Sequence, residues 1–65
     1  MSQQEIVKNS NGTVKGYIRF DHDRITVLNA SGNQLGYELL HNHQTYNVQG
    51  QVVARGHGSY GILLG

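Results

Sequence analysis

Apolar and polar residues alternate along this chain over short stretches and never sustain a helical period. The clearest runs are VKGYIRF at 14–20, ITVL at 25–28 and LGYELL at 35–40. Turn-forming clusters separate them every ten residues or so. Short alternating runs rich in β-branched and aromatic residues, punctuated at that interval, predict an all-β chain of about seven short antiparallel strands in a meander. A helical reading fails on Gly16, Gly36, Gly56, Gly58 and Gly61, each of which would fall inside a helix.

The turns repeat. NSNGTVKGYIRF at 9–20 returns as NASGNQLGYELL at 29–40 and again, shortened, as NVQGQVVARG at 47–56. Asn9, Asn29 and Asn47 each stand three residues before Gly12, Gly32 and Gly50. In a type I turn Asn caps the first position, and Gly supplies the left-handed fourth position that a Cβ would obstruct. Followed by a strand, this is a three-residue hairpin loop ending in a bulge. Three such loops predict three hairpin repeats, at approximately 5–24, 25–44 and 45–65, within one domain spanning 1–65. The reverse turns fall at DHD (21–23), HNH (41–43) and GHG (56–58).

Pairing strands across these loops predicts the faces of the sheet, because successive strand residues point to opposite sides. The second hairpin sets Asn29 opposite Asn33, Val27 opposite Leu35, Ile25 opposite Tyr37 and Arg24 opposite Glu38. With two-residue turns at His22-Asp23 and Asn42-His43, Ile18, Phe20, Ile25, Val27, Leu35, Tyr37, Leu39, Tyr46 and Ile62 gather on one apolar face. Lys15, Tyr17, Arg19, Thr26, Glu38, Thr45, Asn47 and Arg55 fall on the other, with Val7, Leu28, Leu40, Val53 and Leu63 as apolar exceptions there. An apolar sheet face must be covered, and this reading leaves no helix and no second layer to cover it. The expected solution is a homo-oligomer, a dimer or higher, joined through that face as a sandwich, with a small closed barrel as the alternative.

The pattern Asn-x-x-Gly-x-x-x-Gly-Tyr at 9–17 and 29–37 resembles the short hairpin repeats of small uncharacterised bacterial proteins. More distantly it is similar to the tyrosine-aspartate repeats of RHS-type proteins, although the dipeptide Tyr-Asp does not occur here. The resemblance spans 9–56 and implies a strand-rich structural repeat without catalytic residues. It transfers no site.

Composition narrows the partners. A chain of 65 residues buries only ~60% of the surface its unfolded form exposes, so it usually needs a disulfide, a metal or oligomerisation. The absence of cysteine removes the first. Five Lys and Arg against four Asp and Glu leave a formal charge of +1, which argues against nucleic acid as a dedicated partner. MSQQEIVKN carries no leader pattern, and no apolar run is long enough to span a bilayer, so a cytoplasmic location without membrane contact is expected.

Candidate chemistry is sparse. Glu5, Asp21, Asp23 and Glu38 are the only carboxylate side chains, and there is no nucleophile elbow, phosphate loop or cysteine nucleophile. GHGSYG at 56–61 places Ser59 two residues after His57, with no third group fixed by spacing. No enzyme activity and no cofactor are expected. His22, His41, His43 and His57, with Asp21 and Asp23, fall at one rim of the meander, opposite the three Asn-Gly loops. Imidazole and carboxylate suit zinc or nickel, but loops two strands apart are separated by ~10 Å, so these residues meet only if the sheet curls or a second subunit contributes. The plainer reading is polar residues in exposed turns. Lys15, Tyr17 and Arg19 alternate on one strand, as in sheets that stack bases and hold phosphates. The expected function is a non-catalytic structural or interaction module that self-associates through its apolar face. The alternative is a small ligand-, metal- or nucleic-acid-binding module using the histidine rim or the Lys15/Tyr17/Arg19 face.

Overall fold

A computed structural model of the protein describes residues 3–64; positions 1, 2 and 65 of the expected domain lie outside the described residues. Six strands follow one another in space as they do in sequence: β1 (Gln3–Lys8), β2 (Val14–Phe20), β3 (Arg24–Asn29), β4 (Gln34–Leu39), β5 (Gln44–Asn47) and β6 (Val52–Arg55). Every neighbouring pair is antiparallel. The all-β meander is therefore as the alternation predicts. The sheet is open, with β1 and β6 as its edges, and does not close into a barrel. The expected seventh strand is instead a 3-10 helix, Ser59–Leu64.

The three Asn-Gly loops are nearly identical. The carbonyls of Asn9, Asn29 and Asn47 accept from the amides of Gly12, Gly32 and Gly50, each at 3.0 Å, and those glycines have φ of +90°, +88° and +85°. The Asn29 side-chain oxygen also accepts from the amides of Ser31 and Asn33, both at 2.9 Å, and Asn47 binds Gln49 and Gln51 likewise. In the first loop Asn11 takes over this role, accepting from the amide and hydroxyl of Thr13.

Each loop is followed, three residues after its glycine, by a residue without a cross-strand partner. The register slips around Lys15, Leu35 and Val53, so that Val7 meets Gly16, Val27 meets Gly36 and Thr45 meets Ala54. A bulge adds one residue to one strand and so inverts the face of everything beyond it. The expected pairing holds through Leu28 and Gln34 and fails at Val27, which meets Gly36 in place of Leu35, so that Ile25 stands opposite Glu38, Thr26 opposite Tyr37 and Arg24 opposite Leu39. The turn before β5 also differs. It occupies residues 40–43, with Leu39 opposite Gln44, whereas the His22-Asp23 turn is the expected two-residue one, closed by the Asp21 amide on the Arg24 carbonyl at 2.9 Å.

The expected single apolar face therefore divides. Ile18, Phe20, Ile25 and Val27 share the inner face with Gly16, Gly36, Glu38, Thr45 and Ala54, whereas Tyr37, Leu39 and Tyr46 point to the opposite, open face with Tyr17, Arg19 and Leu28. Leu35 is the bulged residue, and Ile62 stands on the helix with 59% of its surface exposed. The 3-10 helix lies on the inner face against β3, β4, β5 and β6 and covers that part of it. Gly16 and Gly36 make room for it. A Cβ at Gly16 would sit 2.5 Å from Leu64 Cδ2 and press on the Leu28 carbonyl; at Gly36 it would sit 2.8 Å from Leu63 Cδ1 and press on the Tyr46 carbonyl. Ile18 and Val27 form the apolar centre beneath.

Candidate functional site

Two groups of side chains stand out from this scaffold. The first is on the inner face, where the fully buried Glu38 and Thr45 pair across β4 and β5. Buried carboxylates need partners. Glu38 Oε1 accepts from the Tyr60 amide at 3.2 Å, and Oε2 lies 3.4 Å from His43 Nδ1. Beside it Thr45 Oγ1 and Ser59 Oγ lie 2.6 Å apart. No buried side-chain nitrogen or oxygen among the described residues lacks a hydrogen-bond partner. Glu38 and Thr45 together fasten the start of the 3-10 helix to the sheet.

His43 reaches this group because the residue 40–43 turn ends in a left-handed backbone, φ +52°, with its amide on the Leu39 carbonyl at 2.8 Å. Its own carbonyl accepts from the Gly56 amide at 2.8 Å, and the His57 ring packs on its ring with centroids 4.7 Å apart. Of the six expected rim ligands, then, His43 and His57 come together, and they do so beside Glu38, which the sequence reading placed on the outer face opposite Arg24. His22 and His41 are exposed in their turns, Asp21 follows β2, and Asp23 is 3.7 Å from Arg24. Among the described residues no group of three or more His, Cys, Asp or Glu is placed to hold a metal ion. The Ser59 hydroxyl is engaged by Thr45. Glu38 was legible in one respect: the repeat aligns it with Ile18, which is itself buried.

The second group is the open face. Tyr17 and Arg19 lie there on β2 as the alternation predicts, and Lys15 is the exposed bulged residue before them. The register keeps Thr26 and Arg55 on this face and brings Tyr37, Leu39 and Tyr46 to it from the expected apolar side. Arg24 pairs with Leu39, Leu39 with Gln44 and Gln44 with Arg55, while Thr26, Tyr37 and Tyr46 form the adjacent row. The rings of Tyr37 and Tyr46 stack with centroids 5.5 Å apart and planes 23° apart. The Arg24 guanidinium carbon lies 5.4 Å from the Tyr37 ring centroid, within cation–π range. Tyr46 is pinned through its hydroxyl, which donates to Gln44 Oε1 at 2.9 Å and accepts from Asn42 Nδ2 at 3.3 Å. Following the bulges was the signal that would have found this arrangement.

No open-face position of the six strands carries a carboxylate. Glu38 is buried on the inner face and Glu5 pairs with Ile18 on that same side. Asp21 and Asp23 stand at the rim, in the turn between β2 and β3. All three arginines of the chain, Arg19, Arg24 and Arg55, are therefore on one face with three of its four tyrosines. The near-neutral net charge conceals a strongly sided distribution. Among the described residues no helix is long and apolar enough to cross a membrane. Comparison with protein-family models, with curated proteins and with solved structures finds no match to the chain.

Proposed function

We propose that the protein is a non-catalytic binding module whose working surface is the open face of the sheet, and that its partner is anionic. The observation that carries this reading is the division between the faces. Over β3 to β6 the inner face is covered by the chain's own helix, whereas the open face presents three arginines and three tyrosines with no carboxylate among them. A surface of one charge sign attracts counter-charge and orients it. Arginine side-chain Nε–Hε resonances, followed by NMR during titration with inorganic polyphosphate at low ionic strength, test it. Shifts at Arg19, Arg24 and Arg55 support the proposal; unchanged arginine resonances at saturating polyphosphate overturn it.

A second reading, self-association, is favoured by the sheet's edges. Ile6 on β1 and Val52 and Val53 on β6 are 57%, 42% and 40% exposed, and a shallow open depression runs along Val52, Val53, Ala54 and Arg55. Unpaired edges with exposed apolar side chains add strands from other chains readily. On this reading copies join edge to edge, extending the sheet. Light scattering across a concentration series decides: a rising mass, abolished by Val53→Lys, supports edge association, and a constant monomer mass excludes it.

A further inference from the structure

We infer that the open face binds single-stranded nucleic acid, with bases stacked on tyrosine rings and phosphates held by arginines. The inference rests on the anionic-partner reading above and names the ligand class. Polyphosphate alone would need only the arginines. Three tyrosines on the same face are surplus to that task, and they lie among the arginines. On β2, Tyr17 is followed at the next open-face position by Arg19; across the strands, Arg19, Thr26, Tyr37 and Tyr46 form one row, with Arg24 and Arg55 in the row beside it.

Such a surface meets the two needs of a flexible strand, whose bases offer π faces and whose backbone carries one negative charge per nucleotide. Tyr37 and Tyr46 are held ready, one by stacking against the other and by Arg24, the other also by the hydrogen bonds on its hydroxyl. Rings fixed before binding lose little freedom on contact. Duplex suits the surface less well, because its bases are already stacked and its readable edges lie in grooves that take a helix or a two-stranded ribbon rather than the face of a six-stranded sheet. The two aspartates at the rim bound the surface on the side of the β2–β3 turn.

Fluorescence anisotropy with three labelled probes tests this: single-stranded oligothymidylate, an abasic phosphodiester chain of the same length, and a duplex. The expected order is oligothymidylate tightest, with a salt slope of about −2 from ~−0.7 per phosphate neutralised by three arginines. Tyr37→Ala weakens it by ~5- to ~150-fold, the range for one lost stacking contact, and Arg55→Gln flattens the salt slope while far-UV circular dichroism stays native. If Tyr37→Ala disturbs the fold, Tyr17→Ala carries the same expectation. Equal binding of oligothymidylate and the abasic chain overturns the nucleic-acid inference and leaves an anion-binding face. Tighter binding of duplex overturns it as well. No binding of any probe at low salt removes both readings together.

Discussion

The Tyr60 amide donates to Glu38 Oε1 at 3.2 Å across 22 residues of sequence, so a carboxylate in the middle of the sheet fixes where the 3-10 helix begins. Around it, Thr45 and Ser59 form a second tie at 2.6 Å, and His43 meets the other carboxylate oxygen. Removing the carboxylate leaves the half-buried Tyr60 amide without its partner, and losses of this kind run to about 1–3 kcal/mol at full burial. Glu38→Ala is therefore expected to lower Tm by ~4–8 °C for each kcal/mol in a domain of this size. Glu38→Gln keeps an acceptor for Tyr60 and is expected to lose less. Melting followed by circular dichroism compares them; an Ala variant as stable as the parent would show that the helix is held by its leucines alone.

Gly16 and Gly36 face a different constraint. A methyl group at either meets the backbone carbonyl of the next strand and a leucine of the helix. Backbone cannot yield as a side-chain tip can, and overpacking of this kind costs ~1–3 kcal/mol. The third repeat carries Ala54 at the equivalent position, where β6 has no further strand beside it. Gly16→Ala and Gly36→Ala are expected to destabilise the fold measurably, whereas Ala54→Gly changes stability little. Equal stability of all three variants would contradict the close approach of helix to sheet.

Gly32 separates loop conformation from packing, since nothing lies within 4 Å of a Cβ there and only its φ of +88° resists a side chain. Gly32→Val is expected to cost about 1 kcal/mol or more, because a β-branched residue is strongly disfavoured at positive φ. Gly61→Ala, in the helix with open space around it and no left-handed φ, is expected to be neutral or stabilising by up to ~1 kcal/mol. Urea midpoints of the two variants check the contrast, and a shared direction would refute it.

Asp21 and Asp23 oppose any anion approaching the open face, and Asp23 competes directly for Arg24 at 3.7 Å. Asp21→Asn with Asp23→Asn is expected to tighten oligothymidylate binding severalfold at low salt, with the gain fading as screening rises. Anisotropy at two salt concentrations checks it. Unchanged or weaker affinity would place the binding surface elsewhere.

The sequence reading reached the meander and its loops because the Asn-Gly spacing acts through contacts four residues apart or fewer, which a sequence displays directly. It lost the faces at Lys15, Leu35 and Val53, where one uncounted residue inverts the alternation. Glu38 and Tyr37 consequently exchanged sides in that reading, which concealed both the tie to the helix and the clustering of arginine with tyrosine. The alternation of Tyr60, Ile62 and Leu64 reads as a strand. The chain forms a 3-10 helix there instead, after Gly56 and Gly58 turn it at φ of +113° and +81° and deliver Ser59 and Tyr60 to partners in β4 and β5. Those partners lie 14 and 22 residues away, beyond the reach of local pattern. The histidine rim was legible as a position in the fold; which rings meet depended on the four-residue turn before β5.

The six-residue helix also sets how wide the molecule can be. At ~2.0 Å per residue it is about 12 Å long, and it lies against four strands spaced ~4.8 Å apart, a span of about 14 Å. A further twenty-residue repeat inserted whole, bulge included, would keep every face in phase and widen the sheet by two strands. The cover would not lengthen with it. Growth by duplication is thus permitted by the pairing rules and limited by the lid, so a longer relative built on this plan would need either a longer terminal helix or a second chain to shelter the added inner face.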